Sequence, residues 1–330
     1  MSFAAERSAL RGIGLKVAAV TFFIAMAACI KAAQGGGLPA GQAVFGRSFF
    51  ALPVVLVWLW WHAPSLAGLR AGLATAHPWG HVWRGLVGAG AMLTGFGALG
   101  LLPLPQVTAI FYATPVFTVV LAFLFLHEPV RAFRMSAVAV GLLGVGVVAW
   151  PDLALSAVSS DEDVAVARFL GATLALVSAF LAGVAQVLIR RLVETEETSA
   201  IAFYFQSSAA LFGLLTLPLG LIGAEWLEPW RWPSPAQWAL LVGAGLFGGV
   251  GQIVHTTAYR YADASVIAPF EYSSIVFAIL IGYFLFSEVP TVSTLVGTVI
   301  VVAAGIFIIW RESRLGVDRS KSRRAKPLHG

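Results

Sequence analysis

Glu271 stands in Ala268-Pro-Phe-Glu-Tyr-Ser-Ser274, about seven residues into a long apolar run. A carboxylate at that depth in a bilayer costs roughly 2.5–3.5 kcal/mol even on insertion scales, so it must face a cavity or a partner. Three roles suit it: contact with a ligand ammonium group, uptake and release of a proton, or a structural bond to Tyr or Arg. Pro269, two positions earlier, removes one helical hydrogen bond and favours a kink there. Arg47 offers a fixed fork of donors to an anionic group. It lies about one and a half turns from a helix end, so snorkelling to the headgroups is the equal alternative. Gln186, Gln206, Gln252, His255, Tyr112, Tyr204 and Tyr272 also occupy apolar segments. Gln252 and His255, three apart, share a helix face. They form either a polar cavity stripe or interhelical hydrogen bonds. A cavity with aromatic walls and a few fixed polar groups suits a planar or amphipathic ligand. The candidate site is therefore Glu271, Arg47, Tyr272, Tyr112, Gln252, His255 and Gln206. Lys31, at a segment end, reads as a snorkelling anchor. Glu128 and Glu288, each followed closely by proline, read as helix stops.

The elements that must carry these residues are membrane spans. The 330 residues are 59% hydrophobic and 11% charged, with mean hydropathy +0.86. A soluble domain carries about 25% charged residues, which excludes an ordinary soluble protein. A helix needs about 20 apolar residues to cross the hydrocarbon core. Ten segments are expected to do so: 13–33, 42–61, 84–102, 106–126, 134–150, 168–188, 200–222, 238–258, 265–286 and 291–310. Longer connections are expected around 62–82 and over 151–167. The Trp226 to Trp238 loop reads as an interfacial aromatic belt.

The chain also repeats itself. Lys31 matches Arg190 and Arg47 matches Gln206 at one offset; Tyr112 matches Tyr272, Glu128 matches Glu288 and Trp150 matches Trp310 at an offset one residue longer. Five spans per copy would turn the second copy over, the inverted-repeat pattern of secondary carriers. The predicted fold is all-α, ten transmembrane helices in two inverted five-helix repeats. Repeat one covers 12–150, a periplasmic linker 151–167, repeat two 168–312 and a basic cytoplasmic tail 313–330. Arg7, Arg11, Arg70, Arg131, Arg134, Arg190, Arg191, Arg260 and the tail share one side in this arrangement, which places both termini in the cytoplasm.

The net charge of +5 is accounted for by this loop and tail bias, so no nucleic-acid partner is expected. The single cysteine, Cys29, excludes an internal disulfide framework and a multi-cysteine metal site. Gly243-Ala-Gly-Leu-Phe-Gly248 fits the dinucleotide pattern but follows no strand; with Gly245-xxx-Gly249 it reads as close helix packing. His127-Glu128 lacks a second histidine for zinc, and no Walker sequence is present to bind ATP. No cofactor and no metal are expected.

Several stretches carry a family resemblance: Arg47-Ser-Phe-Phe-Ala51, Leu102-Pro-Leu-Pro-Gln106, Pro115-Val-Phe117, Glu128-Pro129, Ala258-Tyr-Arg-Tyr-Ala-Asp-Ala-Ser265, Ala268–Ser274 and Ser287-Glu-Val-Pro290. Over residues 12 to 312 the chain resembles EamA-type proteins of the drug/metabolite transporter superfamily. His127 and Ser287 stand where those proteins usually have glycine. The resemblance implies a ten-helix carrier of a small-molecule metabolite in a bacterial inner membrane, with cytoplasmic termini and a central cavity between the repeats. The inverted halves add alternating access, and the depth of Glu271 makes a coupling proton one of its open roles. The last stretches are most similar to riboflavin and S-adenosylmethionine uptake proteins; other members export amino acids and related metabolites. Self-association into a homodimer is left open. An intramembrane lipid-group transferase is the alternative of a different class, and it would need clustered acids, histidines or metal ligands at one interface.

Overall fold

A computed structural model describes residues 3–62, 64–126, 132–155, 162–192, 195–221, 229–261 and 268–314. Among the described residues every regular element is helical. That follows from composition: without water to satisfy the backbone, an apolar run closes its own hydrogen bonds as a helix. Six helices are long and apolar enough to cross a membrane: α1 (Phe3–Gly35), α2 (Ala40–His62), α4 (Pro78–Leu101), α8 (Glu162–Leu192), α9 (Thr198–Leu221) and α10 (Pro235–Tyr261). Shorter apolar stretches lie within α7 (Ala132–Leu155), α11 (Ser274–Phe286) and α12 (Val292–Arg314).

The expected fourth span is two helices, α5 (Leu104–Phe111) and α6 (Ala113–Leu126), broken at Tyr112. Pro115 supplies the reason: proline has no N–H for the carbonyl four residues earlier, that of Phe111. The expected ninth span begins as a 3-10 segment, Ala268–Ser273, and becomes α-helical at Ser274. Pro269 lies within it, as the expected irregularity requires.

Two connections also differ from expectation. The stretch around 62–82 contains the short helix α3 (Leu66–Leu73), capped by Ser65, whose Oγ accepts from Gly68 N at 2.9 Å. Ser199 Oγ and Tyr204 OH donate to the α3 carbonyls of Gly72 and Leu73 at 2.7 and 2.9 Å, tying it to α9. The connection expected over 151–167 is shorter, because α7 reaches Leu155 and α8 starts at Glu162. At the foot of α9, Trp230 Nε1 donates to Thr216 Oγ1 at 2.9 Å, whereas Trp232 is exposed; Trp226 lies outside the described residues.

The packing follows the repeat. By the sequence offset α1 corresponds to α8 and α4 to α10; α1 packs on α10, and α4 packs on α8. These are one interface occurring twice. α2 packs on its own counterpart α9, and α7 on its counterpart α12. One buried cluster joins Ile24, Val44 and Leu104 to Ala175, Leu241 and Val301, so the halves share a core. The Gly245-xxx-Gly249 expectation holds. A Cβ on Gly245 would lie 2.8 Å from the Phe50 carbonyl carbon, and one on Gly249 2.9 Å from Val54 Cβ. Those glycines let α10 meet α2 at backbone distance.

Candidate functional site: a cavity between the halves

Residues matched by the repeat touch one another at the centre. Arg47 Nη1 donates to Gln206 Oε1 at 2.6 Å. Tyr112 OH donates to the Tyr272 carbonyl at 3.1 Å and lies 2.6 Å from Ser274 Oγ; the two tyrosine rings meet edge to face, 5.1 Å between centroids. A residue can contact its own counterpart only near the axis relating the two copies. Both pairs therefore mark that axis.

Beside the Arg47 pair lies a cavity of about 220 Å³, walled by Phe23, Met26, Met92, Phe96 and Phe205 and supplied with polar groups by Arg47, Arg84, Gln186 and Gln252. Residues of both halves line it. Arg47 is 3% exposed, too deeply covered to snorkel; its Nε lies 3.3 Å from Met26 Sδ, and its guanidinium rests against the bare face of Gly248. Arg84 is 7% exposed and stacks on the Phe205 ring at 4.0 Å. Its Nε and Nη1 have no hydrogen-bond partner among the described residues.

The structure brings together only part of the expected set. Arg47 and Gln252 line the cavity, and Gln206 is bonded to Arg47 beside it. Tyr112 and Tyr272 instead join the two broken spans at the axis. His255 sits 3.3 Å from the nitrogen of Lys16 and packs edge-on to Phe23, which itself lines the cavity. Glu271 falls in the 3-10 segment, and its side chain lies outside the described residues. Arg84 and Lys16, fully buried in α1, were missed. Apolar windows start near residues 84 and 13, so both cations looked like boundary residues; their helices in fact begin at Pro78 and Phe3.

Lys31 is not a snorkelling anchor. Its nitrogen lies 3.0 Å from Glu288 Oε1 and donates to the carbonyls of Leu99 and Leu102 at 3.1 and 2.7 Å. Glu288 Oε2 accepts from Leu104 N at 2.8 Å, so its charge faces the N-terminus of α5. Ser287, in the left-handed region at φ 54°, ends α11 and turns the chain so that Glu288 can reach there. The structural reading of Glu288 holds; Glu128 lies outside the described residues.

At the opposite end of α4, Glu196 fastens the α8–α9 turn to the α3–α4 turn. Its Oε1 accepts from Ala76 N and His77 N at 2.9 Å each and from Thr75 Oγ1 at 3.1 Å; Oε2 lies 3.4 Å from His81 Nε2. Burial opposes the charge, but these donors outweigh it and hold the carboxyl below the usual carboxylate range.

The EamA-like transporter family model matches residues 10–150 and again 169–311. The chain belongs to this family. It is a multi-pass membrane protein, and its relatives are named as transporters of small metabolites. An S-adenosylmethionine uptake transporter of Rickettsia felis is 28% identical over 280 residues, 85% of this chain and 86% of that one. The pseudopaline exporter CntI of Pseudomonas aeruginosa is 29% identical over 295 residues, 89% and 94% of the two chains. A riboflavin transporter of Rhizobium johnstonii is 28% identical over 276 residues, 84% and 83%. A solved crystal structure, 20% identical, superposes with a TM-score of 0.58 over 91% of this chain and 96% of its own, which shows a shared fold.

Proposed function

We propose that this EamA-family protein is a secondary-active carrier of a small metabolite that works by alternating access. The observation that carries this reading is the cavity lined by both halves beside the Arg47–Gln206 contact. A ligand held between two related halves is exposed to one side or the other as they rock about it. In this reading ten spans form two inverted repeats. The broken fourth and ninth spans count as one each, and the termini are cytoplasmic. Lys31 and Glu288 then lie on the outer side, where their bonds join α1, α5 and the end of α11. In this reading that contact is the one that must open to give an outer path. The cavity reaches Ile189 and Phe205, on the inner parts of α8 and α9.

The relatives are named for S-adenosylmethionine uptake, riboflavin transport and pseudopaline export. Metabolites of that kind, part planar or amphipathic and part polar, are the substrate class proposed here. Glu271 is the proposed coupling site, because an ionisable residue in a broken span near the axis can link protonation to movement. Flux into proteoliposomes containing this chain alone tests the reading with S-adenosylmethionine, riboflavin and an amino-acid panel. Saturable flux of one compound, with a pH dependence that Glu271→Gln removes, is expected. No flux of any compound would overturn carriage; a fully active, equally pH-dependent Glu271→Gln would overturn coupling alone.

A further inference from the structure

The unsatisfied groups beside the cavity are all donors. A guanidinium can only donate, so Gln206 must turn its Oε1 to Arg47 and leave its amide nitrogen over. That nitrogen has no partner among the described residues, and neither do Nε and Nη1 of Arg84. No carboxylate lies within ion-pairing distance of Arg47 or Arg84 among the described residues. Both guanidiniums line the same cavity. A buried polar group without a partner is costly, and more so when charged. Two like charges in one apolar cavity, with spare donors between them, therefore lack an acceptor that carries negative charge.

Their setting keeps the gap open. Phe205 holds one face of the Arg84 guanidinium, and Gly88 leaves room for its nitrogen where a Cβ would collide with it. Gly248 does the same for Arg47, since a Cβ there would lie 2.7 Å from Nε. Met26 and Met92 offer Arg47 only weak sulfur acceptors, at 3.3 and 3.9 Å. Both arginines are thus placed by packing, and Arg84 is left short of hydrogen bonds.

We propose that Arg84 and Arg47 bind an oxyanion of the transported metabolite, a carboxylate or a phosphate, with Arg84 supplying the free fork of donors. Gln206 assists with its amide nitrogen. The rest of the ligand lies against the aromatic and methionine wall. This assignment rests on the carrier reading above and adds the charge class of the substrate and a residue to bind it.

The test is binding to purified full-length protein, read as thermal stabilisation, with matched pairs that differ at the anion. The pairs are L-phenylalanine and its amide, S-adenosylmethionine and its carboxamide, and riboflavin 5′-phosphate and riboflavin. The anion-bearing member of at least one pair should bind tenfold or more tightly than its mate. Arg84→Gln should erase that preference and Arg84→Lys should retain part of it, because an ammonium keeps the charge and loses the fork. A preference in the phosphate pair alone assigns a phosphate; one in the first two pairs assigns a carboxylate. Equal binding within every pair, or a preference that survives Arg84→Gln, overturns the proposal. Should Arg84→Gln not fold, Gly88→Ala displaces the same guanidinium and must weaken the anion-bearing member selectively. Flux by the wild-type protein separates the two readings. Carriage only of members without the anion would sink the oxyanion site and leave the carrier standing, whereas no carriage sinks both.

Discussion

Lys31, partly buried, and Arg84, buried, are both cations in membrane-length helices, yet their surroundings differ completely. Lys31 has a carboxylate and two carbonyls within 3.1 Å, and its partner Glu288 also receives a backbone N–H. Arg84 has the face of one phenyl ring and two nitrogens with no hydrogen-bond partner among the described residues. A buried charge with full pairing holds elements together, and removing one side of such a pair is costly. A buried charge left short of partners contributes little to the fold and stores its interaction for something that arrives later. The contrast separates a clasp from a binding group, although both residue types looked alike as isolated cations in apolar sequence.

The contrast can be broken in four ways. Lys31→Met should have the largest effect, destabilising the protein by about 3 kcal/mol, because the partly buried Glu288 loses its countercharge. Thermal unfolding in detergent measures this, and Lys31→Met with Glu288→Met should recover part of the loss. Glu196→Gln should cost about 2 kcal/mol, the range for hydrogen bonds to a charged acceptor. Its carboxyl is held below the usual carboxylate range, so the unfolded chain takes up the proton first as pH falls. The contribution is full above the ordinary carboxylate pKa and disappears as pH drops through the folded value. Unfolding followed from pH 7 downward should show that loss in the wild type and a flatter profile in Glu196→Gln. Arg84→Met should go the other way, leaving the ligand-free protein unchanged or stabilised by about 1 kcal/mol, since an apolar side chain replaces an unpaired charge. Destabilisation comparable to Lys31→Met would erase the contrast. Gly88→Ala should have a small effect on stability, a loss of about 1 kcal/mol, because the flexible end of Arg84 can move aside but the edge of the Phe205 ring must also shift.

Much of the centre was legible in sequence. The repeat offset paired Arg47 with Gln206 and Tyr112 with Tyr272, and those pairs meet in space. Gly245 and Gly249 were readable as close packing for the same reason that they defeat a nucleotide motif: they sit inside an apolar helix. The cations were harder. Hydropathy marks where a helix becomes apolar, not where it begins. Pro78 starts α4 almost two turns before Arg84, and packing against Phe205 covers what looked like an interfacial residue. Lys31 failed in the opposite sense. It does lie near a span end, but the end of α11 from the other half returns over it with Glu288, a contact that no local window contains. Tyr112 and Tyr272 were expected beside the ligand because aromatic groups suit a cavity wall; the breaks caused by proline place them at the junction of two spans instead.

The contact between Arg47 and Gln206 also bears on how such a chain could have arisen. In an assembly of two identical halves, the residue on the axis would face its own copy. Arginine there would meet arginine at hydrogen-bonding distance, two donors and two positive charges with nothing between them. Glutamine against glutamine would be tolerable but uncharged. Only a chain that carries both halves covalently can change one member of the pair alone. Carrying both halves in one chain thus gives this position a freedom that no symmetric dimer has: a cation at the centre of the molecule with no carboxylate in ion-pairing distance among the described residues.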